Sequence, residues 1–78
     1  MNYNESYDII VSKLRGLRAE CDLSLDEVSK EIGVNRNTIS FYEKGKRKLP
    51  LNIFLDLLEL YNADIIVFFQ NIYDQRKD

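Results

Sequence analysis

Five of the eleven Lys and Arg residues of this 78-residue chain fall within one stretch of thirteen, residues 36–48. Arg36, Lys44, Lys46, Arg47 and Lys48 stand there against a single acid, Glu43, a local charge of +4. Residues 1–35 carry four cations against seven acids and residues 49–78 two against five, so each flank is −3. The net charge of −2 therefore conceals a basic patch, and an anionic polymer feels the patch rather than the total. Guanidinium and ammonium groups bind phosphate oxygens, and Asn37 and Ser40 add neutral donors and acceptors among them. This chemistry is recognition rather than catalysis. The chain has no His, one cysteine, no glycine-rich phosphate loop and no carboxylates paired in an evident pocket, so an enzyme is not expected. Cys21 alone cannot form an intramolecular disulfide, and without His it speaks against a zinc site. No cofactor and no small-molecule ligand is called for.

Composition sets the same limits. With 45% hydrophobic and 31% charged residues the chain reads as an ordinary globular protein. At this length one domain over residues 1–78 is expected, burying only about 60% of its unfolded surface. No apolar run approaches the roughly 20 residues of a membrane span, and Met1–Ser6 is too polar and acidic for a signal peptide. A lone thiol fits a reducing compartment. The expected location is the cytoplasm, with no membrane partner.

The elements that would position the basic stretch can be read from spacing and caps. Ile10, Leu14, Leu17 and Cys21 recur at helical intervals and predict a first helix from about Tyr7 to Cys21, with Cys21 in the core rather than acting as a redox sensor. Gly16 costs that helix about 1 kcal/mol relative to Ala. Ser24 followed by Glu27 is a capping box, with Leu23 and Val28 placed as a hydrophobic staple. A second helix then runs to about Ile32, where Gly33 supplies a left-handed stop. Asn35 caps a third helix, Arg36 to about Lys44, with Val34 and Ile39 as a second staple, and Gly45 ends it. Lys46–Lys48 form a basic loop. Pro50 marks the start of a fourth helix with Phe54, Leu57, Leu58 and Tyr61 inward, ended by Asn62. Asp64 caps a fifth helix through Ile65, Phe68, Phe69 and Ile72. Ile65–Phe69 also has the composition of a β-strand. The helix is the reading taken, because Asp64 is a good cap and Gln70 to Lys77 continues without a breaker.

The second helix, the turn at Gly33 and the third helix make a helix-turn-helix over about residues 24–44. Its turn is too short for antiparallel packing, so the outer face of the third helix is left exposed. Ile39 and Tyr42 point inward from that helix, while Arg36, Asn37, Ser40 and Phe41 point outward. The run Leu23-Ser24-x-Asp26-Glu27-Val28-Ser29-x-x-Ile32-Gly33-Val34, continued by Ile39-Ser40-x-x-Glu43-x-Gly45-Lys46-Arg47, resembles the phage-repressor/Cro-like (XRE-like) helix-turn-helix family. The likeness extends over roughly residues 8–70, and the tail from Asp64 to Phe69 is similar to the small controller proteins of restriction–modification systems.

The resemblance implies a compact all-α, five-helix, lambda-repressor-like DNA-binding domain acting on double-stranded DNA. At matching positions Arg36, Asn37, Ser40 and Phe41 would face bases. Ser24 and Leu25 would meet a phosphate at the start of the second helix. Lys44, Lys46, Arg47 and Lys48 would flank the sugar-phosphate backbone. Arg18 and Glu43 match a pair that ties the first helix to the third. Three positions depart from the family: Leu25 stands for a common glutamine, Phe41 for a polar reader and Ser29 for a packing alanine. Phe41 could touch a thymine methyl or instead pack, or meet a partner. The apolar excess at about residues 64–75 predicts a homodimer through Ile65, Ile66, Phe68, Phe69, Ile72 and Tyr73, and hence a pseudo-palindromic operator. The expected function is a sequence-specific transcriptional regulator, repressor or activator. The alternative is an antitoxin-like or anti-repressor module that uses the same fold to hold another protein.

Overall fold

The computed structural model describes residues 3–76 and shows five helices: α1 Tyr3–Glu20, α2 Leu25–Ile32, α3 Arg36–Glu43, α4 Leu51–Leu60 and α5 Ile65–Arg76. Among the described residues there is no strand, so the segment Ile65–Phe69 is helical. Asp64 decides it locally: Oδ1 accepts from the N–H groups of Ile66 and Val67, at 2.8 and 3.0 Å. Met1, Asn2, Lys77 and Asp78 lie outside the described residues, and with them both ends of the single-domain expectation.

α2, α3 and α4 end at the stops that their sequences carry. Four of the exits bend through a left-handed residue, Asp22 (φ 56°), Gly33 (φ 79°), Gly45 (φ 72°) and Asn62 (φ 54°). At Asp22, Gly45 and Asn62 the amides of that residue and of the one after it turn back to carbonyls of the last turn, as in Leu23 N–H to Arg18 O at 3.2 Å and Lys46 N–H to Phe41 O at 2.9 Å. Gly33 (φ 79°) closes α2, its N–H donating to Ser29 O at 2.8 Å. Short helices with strong stops are marginal alone, so packing must hold them.

That packing is a single cluster. Val28 and Ile39 are fully buried between α2 and α3, with Leu14 from α1, Phe54, Leu57, Leu58 and Tyr61 from the α4 region, and Phe68 and Ile72 from α5. The Phe54 and Phe68 rings meet edge to face at 5.4 Å, a favoured aromatic geometry.

Two expectations about α1 are corrected. The helix begins at Tyr3, not near Tyr7; Glu5 in its first turn suits the positive end of the helix dipole. It stops at Glu20, so Cys21 falls in the exit turn and is exposed rather than in the core. The inward line of α1 is Val11, Leu14 and Arg18, at i, i+3 and i+7, and Ile10 and Leu17 flank it half-buried.

Candidate nucleic-acid interface

The site is built on a rigid frame. The capping box at Ser24 is complete: Glu27 N–H donates to Ser24 Oγ at 3.1 Å, and Ser24 N–H donates to Glu27 Oε1 at 2.9 Å. Hydrogen bonding to the Glu27 carboxyl, first from the Ser24 backbone N–H and then from the Ser24 hydroxyl, lowers it from its ordinary value. Asn35 Oδ1 accepts from Asn37 N–H at 2.8 Å and starts α3. Both groups on Ser24 are therefore occupied within the protein. The donors left for an anion at this end of α2 are the N–H groups of Leu25 and Asp26, which have no intrahelical acceptor. The Leu25 side chain is half-buried against the core, so only its backbone faces outward as a donor.

A partly buried ion pair joins α1 to α3. Arg18 Nε donates to Glu43 Oε2 at 2.7 Å and Nη2 to Oε1 at 3.0 Å, a two-pronged bond, while Nη1 donates to Leu23 O at 2.9 Å. The Arg18 and Glu43 side chains are only 18% and 8% exposed. The hydrogen bond to Glu43, opposed in part by burial, holds the Arg18 guanidinium above its ordinary value. Because Arg18 lies in the last turn of α1 and Glu43 ends α3, the pair joins two helix ends and spans to the entry of α2.

On the outer face, Arg36 and Asn37 are exposed at the N-terminal end of α3, Ser40 is half-buried and Phe41 is exposed at its margin. Arg36 Nε lies 3.3 Å from Asp26 Oδ1 across the motif, with both side chains well exposed. A solvated pair of this kind contributes little to stability and leaves Arg36 free to exchange partners. Phe41 is not bare: the Arg47 guanidinium sits over its ring at 5.5 Å from the centroid. Arg47 Nη1 also donates to Thr38 Oγ1 at 3.3 Å. Lys44, Lys46 and Lys48 are exposed and, among the described residues, make no ion pair.

The loop that carries these cations lies on α1. Tyr7 Oη donates to Arg47 O at 3.2 Å and accepts from Leu49 N–H at 2.7 Å. A Cβ at Gly45 would stand 3.4 Å from Asp8 Oδ1 and 3.9 Å from Val11 Cγ2, so the loop backbone passes close over the helix. Asp26, Thr38 and Tyr7 were not legible as site residues. Each makes its contact across a turn or across the fold, where neither periodicity nor capping leaves a signal.

The α5 expectation needs a correction. Phe68 and Ile72 are 2% and 5% exposed and belong to the core of the chain itself, because they lie one turn apart on the face that closes over Phe54. They are not available to a second subunit. Ile65, Ile66, Phe69 and Tyr73 are exposed, as are Val67 on α5 and Leu51 and Leu55 on α4. No helix of the described residues is long and apolar enough to cross a membrane.

A family model described as helix-turn-helix matches residues 14–68. The cryptic phage CTXphi transcriptional repressor RstR of Vibrio cholerae is 43% identical over 54 residues, covering 69% of this chain and 49% of that protein. The chain thus spans about half the length of that relative. An uncharacterized HTH-type transcriptional regulator of Archaeoglobus fulgidus is 33% identical over 60 residues, covering 73% of this chain and 86% of that protein. Neither name is that of a restriction–modification controller, so the likeness drawn from the tail is not carried by these matches. No solved structure matches the chain.

Proposed function

Because the chain belongs to the helix-turn-helix family, we propose that it is a DNA-binding transcription regulator that reads a pseudo-palindromic operator as a homodimer. The observation that carries this reading is the exposed N-terminal end of α3, with Arg36 and Asn37, held beside the cationic loop 44–48 by a frame of caps and one partly buried ion pair. Such an end fits the major groove, where Arg bonds guanine O6 and N7 and Asn bonds adenine N6 and N7. The backbone donors of Leu25 and Asp26 suit one phosphate, and Lys44, Lys46 and Lys48 suit the next. The likeness to the Vibrio transcriptional repressor favours that sign of regulation. With no cofactor required, the surface acts by binding alone.

The test is affinity as a function of salt, on a duplex selected by the protein from a random library. Binding should weaken linearly in log–log form, and Lys46→Gln should reduce the slope by about 0.9 if Lys46 meets one phosphate. Failure to select any duplex, or retention that ignores salt, would point instead to a module that holds another protein.

A further inference from the structure

We propose that Tyr7 is the positioning residue of the DNA contact: its hydroxyl fixes the backbone of the basic loop so that Arg47 is presented in one place. This rests on the DNA-binding reading and adds to it a residue outside the matched segment 14–68. The hydroxyl has one proton and directs it to Arg47 O at 3.2 Å, and its lone pair takes Leu49 N–H at 2.7 Å. Both bonds go to the same loop, 40 and 42 residues away in sequence. They bracket Lys48, so the polypeptide on either side of it is tied to α1. The close passage of Gly45 over Asp8 and Val11 seats the other end of the loop on the same helix.

With its backbone held, Arg47 also has its side chain held. Thr38 Oγ1 takes one Nη1 proton at 3.3 Å, and the guanidinium lies over Phe41 at 5.5 Å from the ring centroid. Thr38 and Phe41 are on the recognition helix. Arg47 is thus held at both ends, while Lys44, Lys46 and Lys48 are exposed point charges. A guanidinium whose rotamers are already restricted loses less entropy on binding than a free one, and its remaining N–H groups keep the planar fork that suits a phosphate or a guanine edge. The substitution of Phe41 for a polar reader finds a use here, as the surface on which Arg47 rests. Tyr7 touches no DNA in this account; it acts through Arg47.

The test is Tyr7→Phe, which keeps the ring and removes only the hydroxyl. Circular dichroism and urea unfolding identify conditions under which the variant is fully folded, and affinities are measured there on a duplex selected by the wild-type protein and on random duplex. Tyr7→Phe should bind the selected duplex about 5- to 10-fold more weakly, the effect of losing one ordered contact. Exchange of the Leu49 amide should accelerate. In an Arg47→Ala background the same change should have no further effect on affinity, which a purely structural role of Tyr7 would not produce. Equal binding by wild type and Tyr7→Phe, or an undiminished loss in the Arg47→Ala background, overturns the role given to Tyr7 alone. A wild-type protein that binds no duplex overturns the DNA reading itself and this role with it.

Discussion

At the scale of single residues, exposure and partners separate groups that serve the site from groups that serve the fold. Arg36 is exposed, begins α3 and is tied only to a solvated Asp26 at 3.3 Å. Arg36→Ala should therefore leave the unfolding midpoint nearly unchanged and cost about 1–3 kcal/mol on the selected duplex, with preference relaxed at one base pair. Equal losses on selected and random DNA would show that Arg36 meets a phosphate rather than a base. Tyr61 is the opposite case. It is buried, and among the described residues its hydroxyl has no hydrogen-bond partner. Burial pushes its phenol above the ordinary value of 10, and the nearby Glu43 carboxylate pushes the same way while Arg18 opposes. A raised pKa means the folded state holds the proton more tightly than the unfolded chain. The associated stability is fully present below pH 10 and is lost as pH rises beyond it. Tyr61→Phe removes an unsatisfied buried hydroxyl, so urea unfolding at neutral pH should show equal or greater stability, by about 1 kcal/mol, and the alkaline loss should become shallower. A variant less stable by that amount would mean that the hydroxyl has a partner in solution.

At the scale of elements, the question is what fixes α3 against α1. Apolar contacts alone, Val28 and Ile39 with Leu14, allow sliding, since dispersion is not directional. The Arg18–Glu43 pair is directional and two-pronged, and it is mostly out of water. Removing one partner strands a desolvated charge, so Arg18→Met and Glu43→Gln should each cost about 3 kcal/mol, and the double variant less than the sum of the two. Denaturant unfolding of the four proteins measures this coupling, and strict additivity would show that the pair is screened. The pair was legible in sequence through the family likeness, and so were the stops. Ser24 and Glu27, Gly33, Asn35, Gly45, Asn62 and Asp64 each carry a local mechanism, and helix boundaries follow such mechanisms closely. What lay beyond reach was set by rotation or by long-range contact. Cys21 sat at the right interval for the core, but α1 ended one residue earlier and turned it outward. Phe68 and Ile72 were read as interface because an apolar stripe does not say which of its edges meets its own chain. Tyr7, Thr38 and Asp26 have ordinary helix-surface identities, and only the folded backbone brings them to the loop and to Arg36.

At the scale of the whole molecule, α5 leaves more apolar surface than the chain can cover. Phe68 and Ile72 turn into the core. Ile65, Phe69, Tyr73 and Ile66 follow at helical spacing as one stripe about 100° wide beside them, and Ile66 is 73% exposed. Large exposed apolar stripes on a small protein mark interaction surfaces, and a second copy offers the same stripe in self-complementary form. Two-fold pairing through α5 would set two copies of α3 on one face, for successive major grooves about 34 Å apart. Sedimentation equilibrium at micromolar concentration should therefore give twice the chain mass of 9.2 kDa. Ile66→Glu places a charge on the stripe at its most exposed position, one that the fold does not bury, so helicity should be unchanged while the mass falls to that of the monomer. On DNA the same variant should lose affinity for a symmetric duplex with half-sites about 10 bp apart, yet bind an isolated half-site as the wild type does. A wild type that sediments as a monomer and still protects a symmetric site would assign the pairing of subunits to the DNA rather than to α5. An Ile66→Glu variant that remains dimeric would move the interface elsewhere, to the exposed Leu51 and Leu55 of α4.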